Sequence, residues 1–316
     1  MSITPGEMTW LTIVIPTYNR RNTICRAIDS CLQDSTLEYE ILVVDDASTD
    51  DTVDILHRYG TDRLRTVRLE RNVGVSAART AGVEAANGKW VLFLDSDDEL
   101  MPGALLTLRE RCEDVAPDIA RLASMCIHDD GHFSPQPWRP GVIMDYRTYL
   151  EWSERVTQSD FSNCIRRSSF SVVPFPCGRS YESIYHLDFA KAFKTLCCGD
   201  VIARVHADAP DRLTRTGTGC LRDRLLAEAE SRMRAMGDII DRHGEALRRY
   251  APSRAWVFSR AFITAALIAG HRRVALRGFL DHVGRHPWSY SVWSIMVLGL
   301  LSRRALAWVI AMKKGT

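Results

Sequence analysis

Four short apolar runs, each closed by polar residues and each followed by a helix-length stretch, constrain this chain more than any other feature. Residues 10–16 (WLTIVIP), 39–46 (YEILVVDD), 64–70 (LRTVRLE) and 89–95 (KWVLFLD) read as strands. Between them, Ile24, Ala27, Ile28, Cys31 and Leu32 form a helical stripe over residues 22–33. Ser48-Thr49-Asp50 marks a helix start, with Val53, Leu56 and Tyr59 facing inward. Helices over 74–87 and 102–112 complete the alternation. Strands alternating with helices imply βαβ units, hence an α/β fold with a mostly parallel sheet and helices on both faces. Such a sheet binds its ligand at the carboxyl ends of its strands. The polar residues gather there: Pro16-Thr17-Tyr18-Asn19 after the first strand, Asp45-Asp46 after the second, Asp95-Ser96-Asp97-Asp98 after the fourth.

From about residue 115 to 215 the pattern loosens. Strands are predicted over Ile119–Ile127, Asn163–Arg166 and Val201–His206, a helix over Ile184–Leu196, and a loop over 128–141. Beyond residue 220 the chain reads as helical, over 221–249, 253–270, 272–284 and 288–312. A division into a catalytic domain, 10–216, and a helical region, 217–316, follows.

The net charge of +2 argues against a nucleic-acid partner. Its distribution says more: residues 271–316 hold eight Lys/Arg and one acid, Asp281. Trp288, Trp293 and Trp308 lie in that basic tail beside Arg303-Arg304 and Lys313-Lys314, a composition suited to a lipid headgroup boundary. The stretch His286–Ser302 falls short of the roughly 20 apolar residues a spanning helix needs, so the tail is expected to lie on a membrane. A hairpin packed on protein is the plainer reading. No secretory signal opens the chain, and the nine cysteines show no paired C-x-x-C spacing. Both point to reduced thiols and a cytoplasmic location, peripheral on the inner face of the plasma membrane.

Asp95-x-Asp97 carries the chemistry. Two carboxylates one residue apart at a strand end project to the same side. Their oxygens suit Mg²⁺ or Mn²⁺, and a cation there would neutralise a diphosphate leaving group. Taken alone, the pair also suits an acidic helix start. Asp46 could accept from a base or ribose, or cap a helix. Thr17, Tyr18 and Asn19 offer hydroxyls, an amide and a ring. In Asn72-Val73-Gly74-Val75-Ser76-Ala77-Ala78-Arg79, small residues would let a helix approach a ligand and Arg79 could reach a diphosphate. No G-x-G-x-x-G follows the first strand, which disfavours a dinucleotide dehydrogenase.

In order, VIPTYNR (14–20), VVDDAST (43–49), NVGVSAARTAG (72–82) and FLDSDD (93–98) resemble family 2 glycosyltransferases of the GT-A fold. The resemblance is strong over residues 12–98 and weaker to about 216. It implies an inverting transfer from a nucleotide diphosphate sugar, UDP-sugar favoured, with Mn²⁺ or Mg²⁺. It assigns Pro16, Tyr18 and Asp46 to the nucleobase, Arg79 to the diphosphate, Asp95 (with Ser96 beside it) to ribose and metal, and Asp97 to the metal. It likens Arg212 and Arg215 to a basic loop over the donor phosphates. With the tail, it suggests a glycan or lipid-linked acceptor in cell-surface polysaccharide synthesis. Relatives often carry a Glu-Asp pair at the start of the helix expected near 184–196; here Tyr185-His186-Leu187-Asp188-Phe189 stands there. Asp188 is the expected base, with Glu182 and His186 in reserve. If none serves, the chain is a catalytically impaired member that binds nucleotide sugar or acts as a scaffold.

Overall fold

A computed structural model of the chain describes residues 9–34, 37–157, 160–175, 182–208, 218–285 and 290–314. The chain divides into two compact units, Met1–Ala209 and Pro210–Thr316.

In chain order the first unit comprises β1 (Leu11–Thr17), α1 (Ile24–Cys31), β2 (Glu40–Asp45), α2 (Thr52–Leu56), β3 (Leu64–Arg68), α3 (Val75–Ala85), β4 (Trp90–Phe93) and β5 (Glu99–Leu100). It continues through α4 (Ala104–Asp114), β6 (Ile119–His128), β7 (Phe133–Ser134), β8 (Ile143–Met144), α5 (Tyr146–Arg155), β9 (Ser162–Arg166), α6 (Glu182–Ala192) and β10 (Lys194–Val205). The strands form one sheet in the order β3-β2-β1-β4-β9-β6-β10-β5, with β7 beside β6 and β8 beside β10. β1 to β4 are parallel. β9 runs antiparallel to both β4 and β6, which makes β6 parallel to β4, and β10 is parallel to β6. Among the long strands, then, only β9 is reversed, and the sheet is the mostly parallel one expected.

Alternation along the strands builds the two helical layers. Leu11, Ile13 and Ile15 of β1, with Ile41 and Val43 of β2, meet Ile24 and Ile28 of α1, Leu56 of α2 and Leu105 and Leu108 of α4. Val14, Leu42, Val44 and Val91 point the other way, onto Ala78 of α3 and Tyr185 and Phe189 of α6. Gly82 is what lets α3 lie so close: a Cβ there would stand 2.4 Å from Val14 Cγ1.

Several elements differ from expectation. α6 starts at Glu182 and stops at Ala192, and β10 begins at Lys194, well before Val201. The strand passes through Gly199-Asp200 with a register shift between Cys197 and Val201. α5 arises where the sequence predicts no element, and β7 within the expected loop. A reciprocal cap starts α5: Asp145 Oδ1 accepts from the Thr148 N–H (2.9 Å), and Thr148 Oγ1 accepts from the Asp145 N–H (2.8 Å).

The second unit is helical: α7 (Thr218–Ala227), α8 (Ala229–Tyr250), α9 (Pro252–Ala269), α10 (Arg272–Arg285), α11 (Tyr290–Leu301) and α12 (Arg303–Lys314). The runs read as single helices over 221–249 and 288–312 are each two. Ser302 makes the second break, its hydroxyl accepting from the Ala305 N–H (3.2 Å) as a helix cap. Ile263, Ala266 and Leu267 of α9 pack with Ala275 and Phe279 of α10, Val292 and Met296 of α11, and Leu306 and Ala307 of α12. No described helix is long and apolar enough to cross a membrane. The seven described cysteines are free thiols, and all but Cys25 are buried.

Candidate active site

β1 lies between β2 and β4, so the polar residues after these three strands emerge side by side. The Asp46 N–H donates to the Thr17 carbonyl (2.8 Å), extending the β1–β2 pairing into the site. Asn19 and Ala47 both take left-handed backbone angles, φ 52° and 61°. Such angles are uncommon without glycine and persist where the surroundings over-determine them. Asn19 is held twice: its N–H donates to Ser48 Oγ (2.9 Å) and its Oδ1 accepts from the Thr49 N–H (2.8 Å). Pro16 is buried within β1 opposite Val44, whereas Tyr18 is exposed.

Asp46 is buried, and its two carboxylate oxygens accept from the Val73 N–H (2.8 Å) and the Gly74 N–H (2.7 Å). Gly74, at φ 94°, supplies the turn that aligns both donors. Asp46 therefore ties the end of β2 to the start of α3, the helix that carries Arg79. Arg79 Nη2 meets Asp95 Oδ1 (2.8 Å), and its Nη1 meets Glu182 Oε1 (3.3 Å). Its guanidinium sits 5.6 Å from the Phe93 ring centroid and 5.9 Å from that of Phe175. Burial opposes the charge, but the Asp95 and Glu182 carboxylates outweigh it and hold the Arg79 pKa above its ordinary value. Arg79 Nε and Thr17 Oγ1 are buried with no hydrogen-bond partner among the described residues. Buried polar atoms are nearly always paired, so a polar ligand has groups to satisfy here.

The acidic turn after β4 is braced from two sides. The Asp98 N–H closes it on the Asp95 carbonyl (3.0 Å), and the His206 N–H donates to Asp98 Oδ1 (3.1 Å). Arg26 of α1 donates to the Asp97 carbonyl and pairs with Asp208 (2.8 Å). Ser96, Asp97 and Asp98 are buried, and the Asp95 carboxylate is half exposed. Among the described residues no three His, Cys, Asp or Glu side chains group closely enough to hold a metal by themselves. Mg²⁺ and Mn²⁺ commonly take one or two carboxylates and complete their shells with water and substrate phosphate. Asp95 and Asp97 fit that mode, as a cation site completed by a ligand.

The three candidate bases on α6 separate. Because α6 begins at Glu182, its start carries Glu182-Ser183, with one acid where the resemblance implies two. Glu182 sits on Arg79, within the cluster. Asp188, six residues on, lies roughly 9 Å further along the helix and about 120° around it. It faces α5: burial and then the Asp188 carboxylate push the Tyr146 hydroxyl up to about 12. His186 is held by Arg121, whose Nη1 lies 3.1 Å from its Nδ1. Arginine only donates, so Nδ1 accepts and the ring proton resides on Nε2. Burial, then Arg121 and Arg79, push the His186 pKa down to about 3. His186 is thus a neutral donor through Nε2, unsuited to taking a proton. Arg212 and Arg215 lie outside the described residues.

Sequence reasoning passed over Arg121, Arg26 and Asp208. Arg121 is fully buried in β6, bonded to Thr195 Oγ1 (3.0 Å) and set 4.5 Å from the Phe189 ring centroid. A lone charge inside the apolar run Ile119–Ile127 was its signal. The Arg26–Asp208 pair, remote in sequence, left none.

A family model described as Glycosyl transferase family 2 matches residues 12–183. The succinoglycan biosynthesis protein ExoO of Rhizobium meliloti is 40% identical over 110 residues, 35% of this chain and 32% of that protein. The putative teichuronic acid biosynthesis glycosyltransferase TuaG of Bacillus subtilis is 42% identical over 91 residues, 28% of this chain and 36% of that one. The matched segments span about a third of the length of these relatives. Among solved structures, S. aureus TarS 1-349 in complex with UDP-GlcNAc superposes with TM-score 0.56 at 17% identity, covering 88% of this chain and 92% of that one. The mannosyltransferase PcManGT of Pyrobaculum calidifontis, in complex with GDP-Man and Mn²⁺, gives 0.55 at 16% identity, covering 98% and 88%. At these identities the two structures show a shared GT-A-like fold.

Proposed function

The chain belongs to glycosyl transferase family 2, and we propose that it is a glycosyltransferase that moves a single sugar, with inversion, from a nucleotide diphosphate sugar to an acceptor hydroxyl. The observation that carries this reading is the Asp95–Arg79–Glu182 cluster beside Thr17–Asn19 and Asp46 at the carboxyl ends of the central strands. UDP-sugar is the favoured donor, and a glycan or lipid-linked acceptor in cell-surface polysaccharide synthesis is the favoured partner. The named roles of ExoO and TuaG support the acceptor class, and the ligands of TarS and PcManGT support the donor class.

Pro16, Thr17, Tyr18 and Asn19, with Asp46, would bind base and ribose. Arg79, fixed by two acids and two rings, is oriented in advance for a diphosphate. Asp97 and Asp95 would hold Mn²⁺ or Mg²⁺, which when bound neutralises the leaving diphosphate. Glu182 now precedes Asp188 as the base, because it lies in the cluster and Asp188 faces α5. Arg212 and Arg215 would close over the donor and exclude water. Residues 10–216 would be the catalytic domain. The alternative, a member that binds nucleotide sugar without turnover, draws support from the single acid at the start of α6.

Residues 217–316 would rest on an anionic membrane surface. α11 has no charged residue, and Tyr290, Trp293, Val297, Leu300 and Leu301 are exposed along it. Beside its end, Arg272, Arg303 and Arg304 line a cavity of about 480 Å³ suited to lipid phosphates.

A thermal-shift panel of nucleotide diphosphates and their sugars, with and without Mn²⁺, tests the donor site. UDP or a UDP-sugar is expected to stabilise the protein by about 2.7 kcal/mol at a hundred times its Kd, with the metal-dependent part lost in Asp97→Ala. A panel without any metal-dependent shift would overturn the reading. Binding with no transfer to any glycan acceptor would select the alternative.

A further inference from the structure

Beyond the donor cluster, the face of α6 that carries Glu182 leads to a group of aromatic rings. His186 lies one helical turn from Glu182. Its ring is 6.0 Å from Phe161, which stacks on Trp138 at 6.3 Å and 25° and meets Trp152 edge-on at 6.0 Å and 82°. Phe161 stands just before β9, whose register with β4 pairs Leu92 with Cys164. Continued three residues, that register sets Phe161 opposite Asp95, at the same end of the sheet as the acidic turn.

All three rings are half-buried. Both indole N–H groups are committed, Trp138 Nε1 to the Cys198 carbonyl (2.8 Å) and Trp152 Nε1 to the Pro137 carbonyl (2.9 Å). The indoles are thereby held in fixed orientation, and what they offer a ligand is π surface. The polar elements beside the rings are the half-buried His186 and the fully buried Arg121, whose guanidinium lies 5.9 Å from the Phe161 ring centroid. Arg121 occupies the His186 Nδ1, and Nε2–H makes no hydrogen bond among the described residues. Fixed aromatic faces with one oriented donor recognise a molecule that has an apolar C–H face and a hydroxyl rim. A pyranose ring has both. An acyclic polyol lacks the face, and a bare lipid phosphate lacks both.

We propose that Phe161, Trp152 and Trp138, with His186 as hydrogen-bond donor, form the acceptor subsite, and that the acceptor terminus is a pyranose sugar. This rests on the glycosyltransferase reading and narrows its acceptor. Arg121 is then a positioning residue, fixing the His186 tautomer from beneath.

The test is tryptophan fluorescence of the full chain with UDP and Mn²⁺, titrated with methyl β-D-pyranosides of glucose, galactose and N-acetylglucosamine, and with ribitol. At least one pyranoside is expected to perturb the signal saturably, and ribitol to leave it unchanged. Trp152→Leu and Phe161→Leu should each weaken pyranoside binding about tenfold, and Trp152→Phe should recover most of the loss. UDP affinity, measured in the same samples, should move less than twofold. Equal responses to ribitol and pyranosides, or UDP affinity falling in step with pyranoside affinity, would overturn the subsite. Pyranoside binding in a wild-type protein that ignores UDP would instead overturn the glycosyltransferase reading and leave the sugar platform standing.

Discussion

The two units break the ordinary inside-out rule in opposite directions. The first buries charge: Asp45 and Arg121 are 0% exposed and Asp46 is 2% exposed. The second exposes hydrocarbon: Tyr290 is 76% and Leu301 78% exposed, on a helix without a charge. Each arrangement costs folding free energy unless something offsets it. In the first unit, backbone N–H groups and the Arg68 ion pair do so for Asp45 and Asp46, and the Thr195 hydroxyl, the His186 ring and the Phe189 face do so for Arg121, which leaves rigid polar groups oriented for a polar ligand. In the second, Tyr290, Val297, Leu300 and Leu301 of α11 remain exposed, which suits a large apolar partner. The contrast teaches that function sits where a fold departs from its own packing rule, and that the sign of the departure names the chemistry of the partner.

The sharpest way to break this contrast is to remove the acid that the first unit places on Arg79. Glu182→Gln keeps shape and removes the base. A drop in kcat of about 10²–10³-fold is expected, with donor KM nearly unchanged. Asp188→Asn, facing α5, should stay within about threefold of wild type. Steady-state kinetics of nucleotide release with a sugar acceptor measure both. The reverse ranking would mean that the cluster around Arg79 is a structural brace and that the acceptor approaches from the α5 side.

A smaller effect tests the second unit. Val297→Ser with Leu301→Ser strips two apolar groups from the exposed face of α11 and leaves its buried side, Val292 and Met296, intact. Partition onto vesicles of anionic phospholipid should weaken about thirtyfold, or ~2 kcal/mol. Melting temperature should hold, because the lost groups make little of the core. Wild-type protein that remains wholly free of such vesicles in flotation would refute the membrane role and leave α11 as a surface for protein.

Much of this was legible in the residues. The β1 to β4 alternation and the strand-end polar groups follow from local period and punctuation, which a single chain displays openly. The α6–β10 boundary does not. Thr195 through Cys198 suit either state locally, and pairing with β6, more than seventy residues away, decides for a strand. The choice among Glu182, His186 and Asp188 was likewise closed to sequence, because it depends on where α6 starts and on which of the three meets Arg79. Asp46 shows a subtler limit. Its place at the site was readable, but its bonds to the Val73 and Gly74 N–H groups depend on a turn that only the folded chain presents.

The finest test of the contrast is acid. If His186 is buried as a neutral donor, the first unit must pay for it at low pH. Below pH 6.5 the unfolded chain protonates this imidazole, whereas the native ring stays neutral down to about 3. Between those values unfolding takes up a proton. The contribution is therefore complete above pH 6.5 and is lost on acidification, at up to about 1.4 kcal/mol per pH unit. His186→Gln retains an acceptor for Arg121 and does not titrate. From pH 6.5 to 5, urea unfolding of the wild type should lose about 1.5 kcal/mol more than that of the variant. Parallel profiles would mean that native His186 protonates readily. The ring would then be free to accept a proton, Arg121 would not be fixing its tautomer, and the buried charge in β6 would need another reason to be there.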